Sequence, residues 1–200
     1  MRLGVLISGS GTNLQAIIDA IAEERLAASV GLVVSSKKDA YGLKRAELAD
    51  IPILALSKDD YADPLVADAR IAEALVQAEV DYVVMAGYMR MVREPLLSSF
   101  PDRIINIHPA LLPSFVGAHA IEDAFSYGVK ITGVTVHFAN EEYDRGPIIA
   151  QQAVEISDVD TLESLEQKIH RVEHQLYPQV LQLLAEGRIQ LTENRTVRVL

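Results

Sequence analysis

Cysteine is absent from all 200 positions of this chain. That excludes disulfides, thiolate zinc sites and a cysteine nucleophile. No stretch approaches the ~20 apolar residues of a membrane-spanning helix, so no membrane partner is expected. The opening Met1-Arg2-Leu3-Gly4-Val5-Leu6-Ile7-Ser8 is too short an apolar run for a secretory signal and reads as a first strand. Basic charge is scarce: 18 Lys and Arg stand against 28 Asp and Glu, for a net charge of −10. The nearest things to basic clusters, Lys37-Lys38 and Arg90 with Arg93, are small. Nucleic-acid binders present a basic face, so no nucleic-acid partner is expected. A small anionic ligand can still be held by a few local donors. The chain shows no linker, repeat or low-complexity tract. One cytoplasmic domain over residues 1–200 is the expectation.

Half of the residues are hydrophobic, enough for a full core. The pattern alternates strand and helix. Strands are predicted at 3–7, 30–34, 53–56, 81–86, 104–107, 130–138 and 148–156. Helices are predicted at 13–24, 41–49, 64–78, 121–127 and 161–186, and a terminal hairpin at 189–199. Strand-helix-strand repetition in the first half implies a parallel sheet covered on both faces. The closer spacing of the later strands implies some antiparallel additions. The expected fold is α/β: a single Rossmann-like domain whose mostly parallel, twisted sheet of about seven strands is flanked by helices. In such sheets ligands bind beyond the carboxyl ends of strands. Here those ends are Ser8-Gly9, Ala86-Gly87-Tyr88 and His108-Pro109.

The run Ile104-Ile105-Asn106-Ile107-His108-Pro109 begins as a buried strand and ends in chemistry. Asn106 and His108 stand at alternate positions, so both point to one side of a strand. An amide beside an imidazole can stabilise a carbonyl oxygen that is becoming an oxyanion. Downstream, Asp144 lies in the turn Glu142-Tyr143-Asp144-Arg145-Gly146-Pro147 and could support the histidine. Taken singly, His108 also fits a structural histidine and Asp144 ordinary turn chemistry. Together the three suggest acyl or formyl transfer.

Ser8-Gly9-Ser10-Gly11-Thr12-Asn13-Leu14 follows the first strand and opens the first helix. Small residues there let backbone N–H groups approach an anion, and the helix N-terminus adds positive potential. The bland alternative is a glycine turn with an N-cap. A dinucleotide fingerprint is excluded in its usual form. Leu14 stands where the third glycine belongs, and Ser35-Ser36 supplies no acid for a ribose hydroxyl. No Gly-Lys-Ser/Thr follows, so this is no P-loop. On the long helix, His170 and His174 lie one turn apart with Glu173 between them, but no third ligand is evident and no metal is expected. Met85, Met89 and Met91 read as core or pocket lining, and His137 as structural.

These pieces, in this order, resemble the phosphoribosylglycinamide formyltransferases, a branch of the folate-dependent formyltransferase family. The resemblance spans residues 1 to about 178. It is carried by Ser8-Gly9-Ser10-Gly11-Thr12-Asn13-Leu14-Gln15, Ala86-Gly87-Tyr88-Met89-Arg90, Asn106-Ile107-His108-Pro109-Ala110-Leu111-Leu112-Pro113, Gly133-Val134-Thr135-Val136-His137-Phe138, Asp144-Arg145-Gly146-Pro147 and Glu173-His174. It implies catalytic roles for Asn106, His108 and Asp144. It implies a phosphate and ribonucleotide site at Gly11, Thr12, Asn13 and Leu14 with His170, Arg171, Val172 and Glu173. It implies a folate site at Met89, Arg90, Met91 and Val92, at Asn106, and at Asn140, Glu141, Glu142, Tyr143 and Asp144.

Two departures from the family pattern stand out: Val116 where proline is common, and Pro64 near a position where some relatives have a basic folate contact. The implied reaction passes the formyl group of the cosubstrate 10-formyltetrahydrofolate to the amine of glycinamide ribonucleotide. The partners are then small molecules, and the protein a monomer or homodimer. The alternatives are a formyltetrahydrofolate hydrolase or another amine formyltransferase of the same family. Hydrolases usually add an N-terminal regulatory domain, and a formyltransferase acting on methionyl-tRNA adds a C-terminal RNA-binding one. Neither is expected from this sequence.

Overall fold

A computed structural model describes residues 1–200. The chain runs β1 Arg2–Ile7, α1 Thr12–Ala22, β2 Ser29–Ser35, α2 Tyr41–Leu48, β3 Ile53–Ala55, α3 Pro64–Gln77, β4 Tyr82–Met85, α4 Glu94–Ser99 and β5 Ile104–His108. It continues through α5 Ala120–Tyr127, β6 Ile131–Phe138, β7 Ile148–Glu155 and α6 Leu162–Ala185 to the hairpin β8 Ile189–Leu191 and β9 Val197–Val199. The seven-stranded sheet has the order β3-β2-β1-β4-β5-β6-β7. The pairs β1/β2, β1/β4, β2/β3 and β4/β5 are parallel, and β6/β7 is antiparallel. This is the mostly parallel α/β sheet that the alternating pattern implies. Two compact units divide the chain, residues 1–106 and 107–200.

In the first unit the central strands are mostly apolar, as expected of a parallel sheet covered on both faces. Leu3, Val5, Leu6 and Ile7 of β1 and Val83 and Val84 of β4 are fully buried. Helix α3 starts where sequence chemistry puts it. The Asp63 carboxylate accepts from the amides of Leu65 and Val66, and Pro64 occupies the first turn, where its missing N–H costs nothing. Its inner face buries Ala67, Ile71, Ala72 and Leu75. β2 and β4 flank β1 on opposite sides, so the winding reverses between β1 and β4. The segments leaving the carboxyl ends of these two strands therefore border a topological switch point, where open α/β sheets hold their ligands.

In the second unit α6 is fixed at its start by a capping box between Thr161 and Ser164. One stripe of it buries Leu165, Ile169, Tyr177, Val180 and Leu181. The hairpin at the end pairs Ile189 with Val199.

Two elements go beyond the sequence pattern. Asp59–Tyr61 forms a turn of 3₁₀ helix and Glu94–Ser99 a six-residue helix. Each is too short to display a helical period. Replacing Asp63 with Ala should remove the α3 cap and lower stability by about 1 kcal/mol. Thermal melting monitored by circular dichroism checks this, and an unchanged midpoint would show that the cap adds nothing.

Candidate active site

The glycine turn between β1 and α1 is held by its carbonyls. Gly42 N–H donates to Gly9 O at 3.0 Å, and Arg45 Nε to Ser10 O at 2.9 Å. Gly11 has φ +70, and a Cβ there would lie 2.6 Å from the Gly42 Cα. Glycine is thus required twice over, by conformation and by close approach. No side chain caps the N-terminus of α1, so its first turn presents backbone amides of the kind that bind anions. Thr12 is partly exposed there, while Asn13 and Leu14 are buried. Arg45 carries no recognisable sequence signal, yet it also bonds Gln15 Oε1 and so restrains the turn from the far side.

Beyond β4 the chain turns at Gly87, φ +74. Tyr88 is buried, and its hydroxyl pairs with that of Tyr61 at 2.7 Å. Burial pushes the Tyr88 phenol well above its ordinary range, and the Tyr61 bond adds to this. The Arg90 guanidinium lies 4.3 Å from the centre of the Tyr61 ring, a cation–π distance. Met89 and Arg90 are exposed, Met91 half-buried and Val92 buried. Pro64 sits at the start of α3 and offers no charge.

Asn106 and His108 share strand β5 at alternate positions, Asn106 half-buried and His108 buried. The structure brings His108 and Asp144 together. His108 Nδ1 lies 3.5 Å from Asp144 Oδ2, and both side chains are 5% exposed. His108 Nε2 is 2.8 Å from the Phe115 carbonyl. Each ring nitrogen thus faces an acceptor oxygen, an arrangement that two N–H donors satisfy. Asp144 Oδ2 also accepts from Gly117 N–H at 2.9 Å.

Asp144 has φ +53. Just beyond it, a Cβ on Gly146 would lie 1.7 Å from the Phe138 carbonyl oxygen. Only glycine lets the turn close this tightly against β6. Asn140 shapes the approach to the turn by accepting from Glu142 N–H. Glu141, Glu142 and Tyr143 are exposed. A cavity of about 440 Å³ opens beside Asp144, lined also by Asn140, Glu142, Arg145, Leu112 and Val116. Val116, the departure from the family pattern, is therefore a wall residue.

Two polar residues given no role by sequence reasoning support the strap after β5. The buried Thr135 hydroxyl donates to Ala110 O and accepts from Leu112 N–H. Gln151 Nε2 donates to Leu112 O at 2.9 Å. Thr135 is buried within β6, whereas Gln151 is an exposed residue of β7 whose amide reaches back to the strap.

His137 Nδ1 donates to Phe138 O at 2.9 Å. Its Nε2 is 3.8 Å from Asp144 Oδ1, beyond hydrogen-bond reach. Burial dominates and holds its pKa below the ordinary value, despite the Phe138 bond and the Asp144 charge. On α6, His170 Nδ1 bonds Glu173 Oε2 at 2.8 Å, and that bond raises the His170 pKa against the opposing effect of burial. Glu173 is buried, Val172 half-buried and Arg171 exposed. The rings of His170 and His174 stack with centroids 6.3 Å apart.

In an NMR titration His137 should protonate below 6.5 and His170 above it. The linkage follows from these signs. Below 6.5 the unfolded chain binds a proton that native His137 resists, so this residue's contribution to stability is present above 6.5 and lost on acidification. For His170 the contribution is present below 6.5 and lost as pH rises through its native value. Interchanged midpoints would overturn the assignment. Gly146→Ala should displace Asp144, destabilise the fold and depress activity together.

A family model described as Formyl transferase matches residues 1–181. The chain is 44% identical over 183 residues to the phosphoribosylglycinamide formyltransferase of Bacillus subtilis (strain 168), covering 92% of this chain and 94% of that protein. It is 42% identical over 193 residues to the trifunctional purine biosynthetic protein adenosine-3 of Homo sapiens, covering 96% of this chain and 19% of that longer protein. Among solved structures, glycinamide ribonucleotide transformylase 1 from Symbiobacterium toebii superposes with a TM-score of 0.96 at 49% identity, covering 100% of this chain and 94% of that one. The chain belongs to the formyl transferase family.

Proposed function

We propose that this chain transfers the formyl group of 10-formyltetrahydrofolate to the amine of glycinamide ribonucleotide, releasing tetrahydrofolate, as a step of purine synthesis in the cytoplasm. The observation that carries this reading is the buried His108–Asp144 pair on the strand that presents Asn106. The names of the long, similar relatives give the substrate class.

The amine nitrogen attacks the formyl carbon and a C–N bond forms. The carbonyl π electrons move to oxygen, giving a tetrahedral oxyanion. The Asn106 amide and the His108 Nε2–H are the donors assigned to that oxygen. The Phe115 carbonyl, 2.8 Å from Nε2, marks the distance at which an oxyanion would accept; the substrate would take over this position. The Asp144 carboxylate, 3.5 Å from Nδ1, fixes the orientation of the ring. Collapse then breaks the bond from carbon to the folate nitrogen. The proton lost by the amine reaches that leaving nitrogen through His108 or a water molecule. In this reading the Gly11–Asn13 turn holds the ribonucleotide phosphate, with residues 170–173 contacting the same substrate. Residues 89–92 and 140–144 meet the folate. Anchoring the remote phosphate converts binding energy into orientation of the amine.

The test is absorbance of the folate product from a 10-formyl donor, with and without glycinamide ribonucleotide. Product only with the acceptor supports the transferase. Product without it would instead mark a hydrolase. His108→Ala should cut turnover by about 100-fold or more while circular dichroism stays unchanged; full retained activity would remove His108 from the mechanism. Asp144→Asn should lower turnover and shift the pH–rate profile, and an unchanged profile would exclude Asp144.

A further inference from the structure

We infer that Ser8 and Asp68 are positioning residues for the formyl donor, holding the backbone of residues 89–92 at its two ends. This rests on the reading of that segment as folate-facing.

The segment leaves β4 and belongs to no strand, so the sheet ladder does not fix its amides. Two buried side chains do. Ser8, at the carboxyl end of β1, is 4% exposed, and its Oγ accepts from Met89 N–H at 2.8 Å. The same Oγ lies 2.6 Å from Ser36 Oγ, beyond the end of β2, which is 3% exposed. A hydroxyl has one proton to give and two lone pairs to receive, so Ser8 satisfies both neighbours at once. At the other end Asp68 of α3 is 2% exposed, and its Oδ2 accepts from Arg93 N–H at 2.6 Å. A carboxylate buried this deeply is costly. Burial indeed raises its pKa, opposed by the Arg93 amide and the Arg93 charge. Just before the first clamp, the Tyr88–Tyr61 hydroxyl pair pins the near side.

A flat heterocycle can be recognised by backbone N–H and C=O groups only if these are already in place, since ordering them on binding would weaken it. Ser8 stands beside the switch point between β1 and β4. There one hydroxyl ties three strand ends together and sets the height of Met89 above the sheet. The two clamps therefore determine affinity for the donor, with less effect on the chemical step.

Ser8→Ala and Asp68→Ala should each raise the KM for 10-formyltetrahydrofolate by about tenfold, the order expected when a part-buried amide loses its acceptor. The KM for glycinamide ribonucleotide should stay within about twofold and kcat within about threefold. Asp68→Asn keeps an acceptor oxygen for Arg93 N–H and should restore the donor KM. Amide exchange should accelerate at Met89 in the first variant and at Arg93 in the second. An unchanged donor KM in a folded variant overturns the inference, as does an equal rise in both KM values, which marks a general structural role. If Ser8→Ala fails to fold, the Asp68→Ala and Asp68→Asn pair decides alone. Wild-type protein that transfers no formyl group would overturn the functional reading itself, a result separable from failure of the clamps because amide exchange still reports on them.

Discussion

Two groups able to carry charge, His108 and Asp144, face each other largely shielded from solvent, and much of the local structure exists to make that tolerable. An uncompensated charge there would cost several kcal/mol, so each polar atom is given a partner. Gly117 N–H and His108 answer Asp144, while the Phe115 carbonyl answers the second ring nitrogen. To supply these partners the chain adopts left-handed conformations at Phe115, Gly117 and Asp144. It also folds so tightly past Gly146 that no side chain fits. Such a pair is a poor device for stability. What it achieves is a ring held in one orientation, between Asp144 and the Phe115 carbonyl.

The same solution recurs wherever a loop must be exact but the sheet cannot hold it. Thr135 and Gln151 bind the strap after β5. Arg45 and the Gly42 amide bind the glycine turn. Ser8 and Asp68 bind the segment after β4. In each case a polar side chain or amide from or beside a regular element takes a backbone group that would otherwise be unpaired. The core of the scaffold is apolar, and the loops at the candidate site are fixed by a small number of hydrogen bonds to it.

The sheet was largely legible because its signal is local. β1, β2 and β4 are apolar runs closed by small residues, and α3 announces itself with Asp63 and Pro64. The helices at Asp59–Tyr61 and Glu94–Ser99 were not, since three and six residues span too little to show a period. The polar residues of the site divide in the same way. Asn106 and His108 are readable as a pair because strand periodicity puts them on one side. Asp68 and Arg45 are ordinary residues in ordinary contexts, and Ser8 and Thr135 sit in visible motifs with nothing local to say what they bond. Their partners lie 25, 35, 81 and 23 positions away.

The sequence by itself determined the α/β class, the limits of nearly every element, the glycine turn and the Asn106–His108 alternation, all consequences of spacing within a few residues. Tertiary structure alone decided that Asp144 meets His108 while His137 stays out of hydrogen-bond reach, though all three belong to motifs visible in the chain. It also decided that burial lowers the proton affinity of His137 while the bond to Glu173 raises that of His170. The physical reason is that proton affinity depends on which distant groups share a low-dielectric space, and one-dimensional spacing carries no measure of that distance.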